Sequence, residues 1–146
     1  MGTRTRIARS GALAQTGRVR KQYHLRRGES GIDAWDVDRL IELTRGLPVE
    51  SVPLAAIREL DTPFWFDSEG DIPTVRRITA HMRLTLDVDP AHPIILAPDG
   101  GVMDGMHRVA RALLDGREHI HAVRLAEMPE PDHRDWNPDE LWCERG

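Results

Sequence analysis

Cysteine is almost absent from this chain, with Cys143 the single one in 146 residues. One thiol excludes an internal disulfide framework and a cysteine-based structural zinc site. It sits in an acidic stretch, where neighbouring negative charge disfavours the thiolate, so no role is expected of it. Long hydrophobic runs are absent too. Uncharged apolar runs are short, as near residues 94–98, far too short to cross a bilayer. No apolar segment follows the N-terminal arginines, so no secretory leader is expected and a reduced, cytoplasmic setting is. Aromatic residues are scarce at 5%, and there are no internal repeats.

The rest of the composition is ordinary for a soluble domain: 40% hydrophobic and 30% charged residues. The length fits one domain with short extensions. A net charge of −4 supplies no global attraction to nucleic acid. The charge is unevenly spread. Residues 1–31 carry eight Lys or Arg against one Glu, residues 32–128 carry ten against seventeen acids, and residues 129–146 carry two against six.

That unevenness suggests three parts. Residues 1–31 combine five glycines with eight basic residues and show no apolar period. They read as a flexible basic arm, with a docking point near residues 23–25. Residues 32–127 read as the folded domain, and residues 128–146 as an acidic, Pro-rich tail that Trp136 and Trp142 would pin to the body.

Within the domain, Asp33 or Asp36 caps a helix running to about Arg45, stopped by Gly46, with Val37, Leu40, Ile41 and Leu47 as its buried stripe. A strand is expected over 49–52, a helical turn over 54–60 and a loop over 62–71 carrying Phe64, Trp65 and Phe66. Asp71 then opens a long helix with Pro73 near its first turn and Val75, Ile78, Met82 and Leu86 as its buried face. A strand over 94–97, a Pro98-Asp99-Gly100-Gly101 turn and a strand over 102–104 follow. A helix over 107–115 stopped by Gly116 and a strand over 119–125 complete the domain. The order predicts an α+β fold, a small mixed β-sheet with flanking helices.

The most informative stretch is Val102-Met103-Asp104-Gly105-Met106-His107-Arg108-Val109-Ala110. A strand passing into a helix through glycine leaves the first helical N–H groups unpaired, which makes an anion site. Arg108 adds a guanidinium suited to phosphate, His107 a ring donor, and Asp104 a carboxylate that can hold magnesium. The plainer alternative is a tight turn with His107 and Arg108 merely exposed.

Asp104-Gly105-Met106-His107-Arg108, followed by Ala110, Ala112, Leu113 and Gly116, resembles the signature of the ParB/sulfiredoxin superfamily. Val52-Pro53-Leu54-Ala55-Ala56-Ile57 resembles its opening element and Pro93-Ile94-Ile95-Leu96 its next strand. The resemblance covers about residues 49–126. It implies a ParB/sulfiredoxin-like fold with a nucleotide phosphate site at Asp104, Gly105, Met106, His107 and Arg108. Met106 stands where sulfiredoxins carry their catalytic cysteine, which argues against sulfinic-acid repair. Partition proteins, which bind CTP, have Gly-Glu-Arg-Arg at this turn. Free-serine kinases have Asp-Gly-His-His-Arg and a catalytic glutamate after the opening element, and they resemble this motif most closely. Glu59 falls at that glutamate's place, with Asp61 two residues on.

The resemblance therefore implies ATP or ADP, with CTP as the other option, and Mg2+ held at Asp104. The long helix adds Thr74, Arg77 and His81, whose spacings of three and four put them on one face as a phosphate clamp. Glu59 or Asp61 would take a proton from an acceptor hydroxyl, with His107 assisting transfer. The aromatic cluster suits stacking or core packing. His119 and His121 alternate on a strand and face one side without an evident third metal ligand. Three functions stay open: a phosphotransferase on a small hydroxyl compound, a non-enzymatic nucleotide-binding regulator, and a nucleic-acid-binding or nuclease-type ParB-like protein using the basic arm.

Overall fold

A computed structural model of the chain describes residues 6–7, 22–28, 31–67 and 70–135. It is a small α+β fold with two sheets and three α-helices among the described residues. The elements are β1 (Arg6–Ile7), β2 (Tyr23–Arg27), β3 (Ile32–Asp36), α1 (Val37–Thr44), β4 (Glu50–Pro53), α2 (Val75–Asp87), β5 (Ile94–Leu96), β6 (Val102–Asp104), α3 (Met106–Leu114) and β7 (His119–Arg124). Three short 3-10 turns, Leu54–Ala56, Arg58–Asp61 and Phe64–Phe66, bridge β4 and α2.

The central sheet is mixed, in the order β4-β7-β5-β6. β7 pairs antiparallel with β4, Val52 opposite Ile120, and parallel with β5, Ile94 opposite Ala122. β5 and β6 form an antiparallel hairpin around the turn at Gly100, whose φ of 89° needs a residue without Cβ. Alternation along the strands sends side chains to two cores. Ile94, Leu96, Val102 and Ala122 pack with Phe64, Met106 and Val109 on one face. Ile95, Ala97, Met103 and Val123 pack with Trp35 and Leu40 on the other. Burial on both faces makes β5 a continuous apolar run, which the sequence shows plainly.

On the second face Trp35 of β3 and Leu40 of α1 pack against the sheet, and for the strand beside β3 the sequence reading needs correcting. Residues 23–27, placed in a flexible basic arm, form strand β2 of an antiparallel β1-β2-β3 sheet. Tyr23, His24 and Leu25 are all buried, so the strand lacks the alternation that would reveal it. Residues 1–5, 8–21 and 29–30 of that arm lie outside the described residues, as do Trp136, Trp142 and Cys143. The first part of the acidic tail packs closely: Ala34 N–H donates to the His133 carbonyl, and Trp35 Nε1–H to the Pro129 carbonyl at 2.8 Å.

The helix ends follow their caps. Asp36 accepts from the Asp38 N–H at the start of α1, and Gly46 ends the segment with φ 87°. Val37, Leu40 and Thr44 form the buried side of α1, whereas Ile41, expected there, is exposed and Leu47 lies beyond the helix. A second correction concerns α2. Val75, Ile78, Met82 and Leu86, expected to be buried, all face outward. The helix docks instead through Thr85, which is buried, with half-buried His81 and Leu84 beside it. Periodicity locates an apolar stripe, but it does not say that the chain's own core covers it.

Candidate functional site

The turn between β6 and α3 is built around Gly105. Its φ of 107° puts it in the left-handed region, and a Cβ there would lie 2.6 Å from Ile94 Cγ2. Gly105 is the N-cap of α3 and provides no side-chain cap to the helix's first N–H groups. The glycine thus turns the backbone sharply and leaves the helix start without a side-chain cap.

Arg108, one turn into α3, folds back over this glycine. Its guanidinium reaches Asp104 Oδ2 at 2.9 Å, a pair with side chains only 18% and 13% exposed. Arg108 Nε is buried with no hydrogen-bond partner. A half-satisfied guanidinium in a mostly dry turn is an unspent donor.

Over the same turn lies an aromatic stack. Trp65, from the third 3-10 turn, stacks on His81 of α2 at 4.4 Å between ring centroids and on His107 of α3 at 4.7 Å. The two imidazoles are nearly parallel to the indole plane and share a 2.9 Å hydrogen bond between His81 Nδ1 and His107 Nε2. Phe66 meets His81 edge-on. Trp65 Nε1 is buried with no partner. Burial, then the His81 ring, then the Arg108 charge push the His107 pKa down to about 4, so His107 is neutral at physiological pH. Of the aromatic cluster, Phe64 serves the core, whereas Trp65 and Phe66 serve the histidine pair.

A second polar cluster surrounds Gly101 in the β5–β6 hairpin. Glu59 accepts the Val102 N–H through Oε2 at 3.1 Å, while its Oε1 is buried without a partner. Arg26, from β2, brings NH2 against Gly101 and NH1 to 3.9 Å from Asp99. Burial lowers the Arg26 pKa from its ordinary value; Asp99 and Glu59 oppose that effect. Arg26 Nε donates at 3.0 Å to His24 Nε2. His24 is fully buried, and burial followed by Arg26 holds its pKa well below the usual histidine value, which keeps it a neutral acceptor. Asp99 accepts the Gly101 N–H, and that bond does most to lower its pKa.

The structure therefore joins His81 to His107 and Asp104 to Arg108, and sets Glu59 at the beginning of the strand that Asp104 ends. Other expected residues act more locally. Thr74 is the N-cap of α2, accepting from Arg77 N–H. Arg77 turns to the Gly70 and Ile72 carbonyls and lies 3.8 Å from Asp71. Asp61 is exposed at the end of its 3-10 turn. Met106 is buried in the core, so only its backbone faces the turn. His119 and His121 are both exposed on β7, as their alternation predicts. No group of three or more metal-ligating side chains is present among the described residues. Sequence reasoning missed Arg26 and His24 because both fall in the stretch assigned to the arm.

No helix among the described residues is long and apolar enough to cross a membrane. Comparison with protein-family models, with curated proteins and with solved structures found no match to this chain.

Proposed function

We propose that this chain is a ParB/sulfiredoxin-like protein that binds a nucleotide through its phosphates at the Asp104–Arg108 turn and works in the cytoplasm. One observation carries the reading: the uncapped start of α3 at Gly105 sits beside Arg108, whose Nε is buried and unpaired. An anion accepting from the first N–H groups of α3 and from Arg108 would satisfy both. Neutral His107, one residue away, adds a ring nitrogen and spares the turn a further charge.

The residues fit a phosphotransferase acting on a small hydroxyl compound. Glu59 keeps Oε1 free of donors, which a general base toward a hydroxyl must do. Mg2+, when bound with ATP or ADP, would neutralise phosphate charge, and Asp104 is the carboxylate at the turn that would hold it. In exchange, Arg108 would pass from Asp104 to the phosphates. Thr74 and Arg77 shape the start of α2 and present His81 to the stack.

A thermal-shift panel of ATP, ADP, CTP and GTP, each with and without magnesium, tests the site. Wild type should gain several degrees with one nucleotide at about a hundred times its dissociation constant, and Arg108→Gln should lose that gain. Glu59→Gln should keep the shift and lose turnover. A nucleotide shift without turnover in wild type would leave a regulatory binding module. No shift with any nucleotide would reduce the turn to architecture.

A further inference from the structure

We propose that the outward stripe of α2 is the surface through which two copies of this chain pair, helix against helix and antiparallel. The inference is independent of the nucleotide reading. Along α2 and two residues before its cap, Ile72, Val75, Ile78, Met82 and Leu86 are 65%, 81%, 42%, 56% and 56% exposed. Leu113 and Leu114, also exposed, end the neighbouring helix α3, whose Arg111 donates to the Leu86 carbonyl at 2.7 Å. Monomers rarely leave more than a few hundred Å² of contiguous apolar surface in water, about the scale that several large aliphatic side chains present. A standard interface takes about 800 Å² from each partner, so a stripe of this extent accounts for much of one side.

The stripe is complementary to itself. Val75 and Leu86 are eleven residues apart, close to three helical turns, and so share one azimuth at opposite ends of α2. Ile78 and Met82 lie between them. Turning a second copy end for end sets each Val75 against Leu86 of the other copy and each Ile78 against its Met82. Such a pairing is isologous and closes at two chains.

Two charges beside the stripe fit the same orientation. Arg76 and Asp87 are also eleven residues apart and lie along one flank of the stripe. Neither has an ion-pair partner among the described residues. The antiparallel arrangement brings Arg76 of each copy to Asp87 of the other, twice per dimer. A parallel arrangement would carry this flank to opposite sides of the seam in the two copies, so neither ion pair would form. The inner side of the same helix carries His81 into the aromatic stack, so pairing would brace that stack from behind.

Sedimentation velocity of the full chain over about 1–100 μM tests the proposal. Wild type should be dimeric within this range. Met82→Glu changes an exposed side chain, so the fold should persist by circular dichroism, while the dimer dissociation constant rises about 100-fold or more because each dimer carries the change twice. Asp87→Arg alone should weaken the dimer, and Arg76→Asp with Asp87→Arg should restore it. A wild type that stays monomeric throughout, a Met82→Glu dimer as tight as wild type, or a double variant no better than Asp87→Arg would each overturn the assignment.

Discussion

His81 Nδ1 and His107 Nε2 share a 2.9 Å hydrogen bond beneath the indole of Trp65, joining α2 to α3 through two imidazoles and one ring face. One nitrogen of the bond must donate and the other accept, so His107 can accept from His81 only while its Nε2 carries no proton of its own, and can donate to His81 only while His81 Nδ1 carries none. The surroundings enforce that condition, because burial, His81 and Arg108 together bring the His107 pKa to about 4.

The first prediction follows from that depression. The unfolded chain protonates His107 near its ordinary value of 6.5, while the native state refuses the proton until about pH 4. Between those values the unfolded state holds more protons, so the His107 share of stability is complete above 6.5 and falls as the pH drops toward 4. The loss at the lower limit is about 3 kcal/mol. His107→Gln keeps a hydrogen-bonding group beside His81 but cannot take up the proton. Urea midpoints near pH 7 and near pH 4.5 should therefore differ less in His107→Gln than in wild type. His24, whose pKa is also lowered by burial, remains in the variant and leaves some slope. Equal acid sensitivity in both proteins would show that the fold does not hold His107 neutral.

A second prediction contrasts two glycines that the backbone uses alike. Gly105 and Gly116 both have positive φ, 107° and 74°. Around Gly116 there is open space, whereas a Cβ on Gly105 would meet Ile94 Cγ2 at 2.6 Å and an Arg108 guanidinium nitrogen at 2.8 Å. Gly116→Ala should cost about 1–2 kcal/mol for the left-handed backbone alone. Gly105→Ala adds overpacking against Ile94 and should cost about 2–5 kcal/mol in all. Chemical denaturation of the two variants measures the difference. Similar midpoints would mean that Gly105 is required for its φ and not for the closeness of Ile94 and Arg108.

The sequence disclosed elements whose signals are local. Asp36 and Gly46 bracket α1, Gly105 and Gly116 bracket α3, and the apolar 94–97 run separates cleanly from its turn. It disclosed less where the partner of a residue is remote. Tyr23-His24-Leu25 is buried throughout and sits among arginines, so composition suggested an arm although Arg26 ends beside Gly101. The outward turn of Val75 and Met82 was equally hidden, because a stripe facing a partner has the same period as one facing the core. At the site, Asp104, His107 and Arg108 were legible from one contiguous motif. The union of Trp65, His81 and His107 was not, since three elements separated in sequence converge there.

The third prediction concerns the segment after β7, read from composition as an acidic, Pro-rich tail, whose first residues form a strap against β3 and α1. Trp35 Nε1–H donates to the Pro129 carbonyl, Arg39 to the Glu130 carbonyl, and the Asp132 and His133 N–H groups to the Ala34 carbonyl. Trp35 also packs in the core with Leu40, Met103 and Val123. Trp35→Phe preserves most of that packing and removes the indole donor, a loss of about 1 kcal/mol. Hydrogen exchange resolves where the loss falls. The Asp132 and His133 amides should exchange faster, while the Leu125 amide, bonded to the Leu96 carbonyl inside the central sheet, should change little. Equal acceleration at Leu125 would mean that Trp35 supports the whole domain through its ring, and that the bond to Pro129 does not hold the strap.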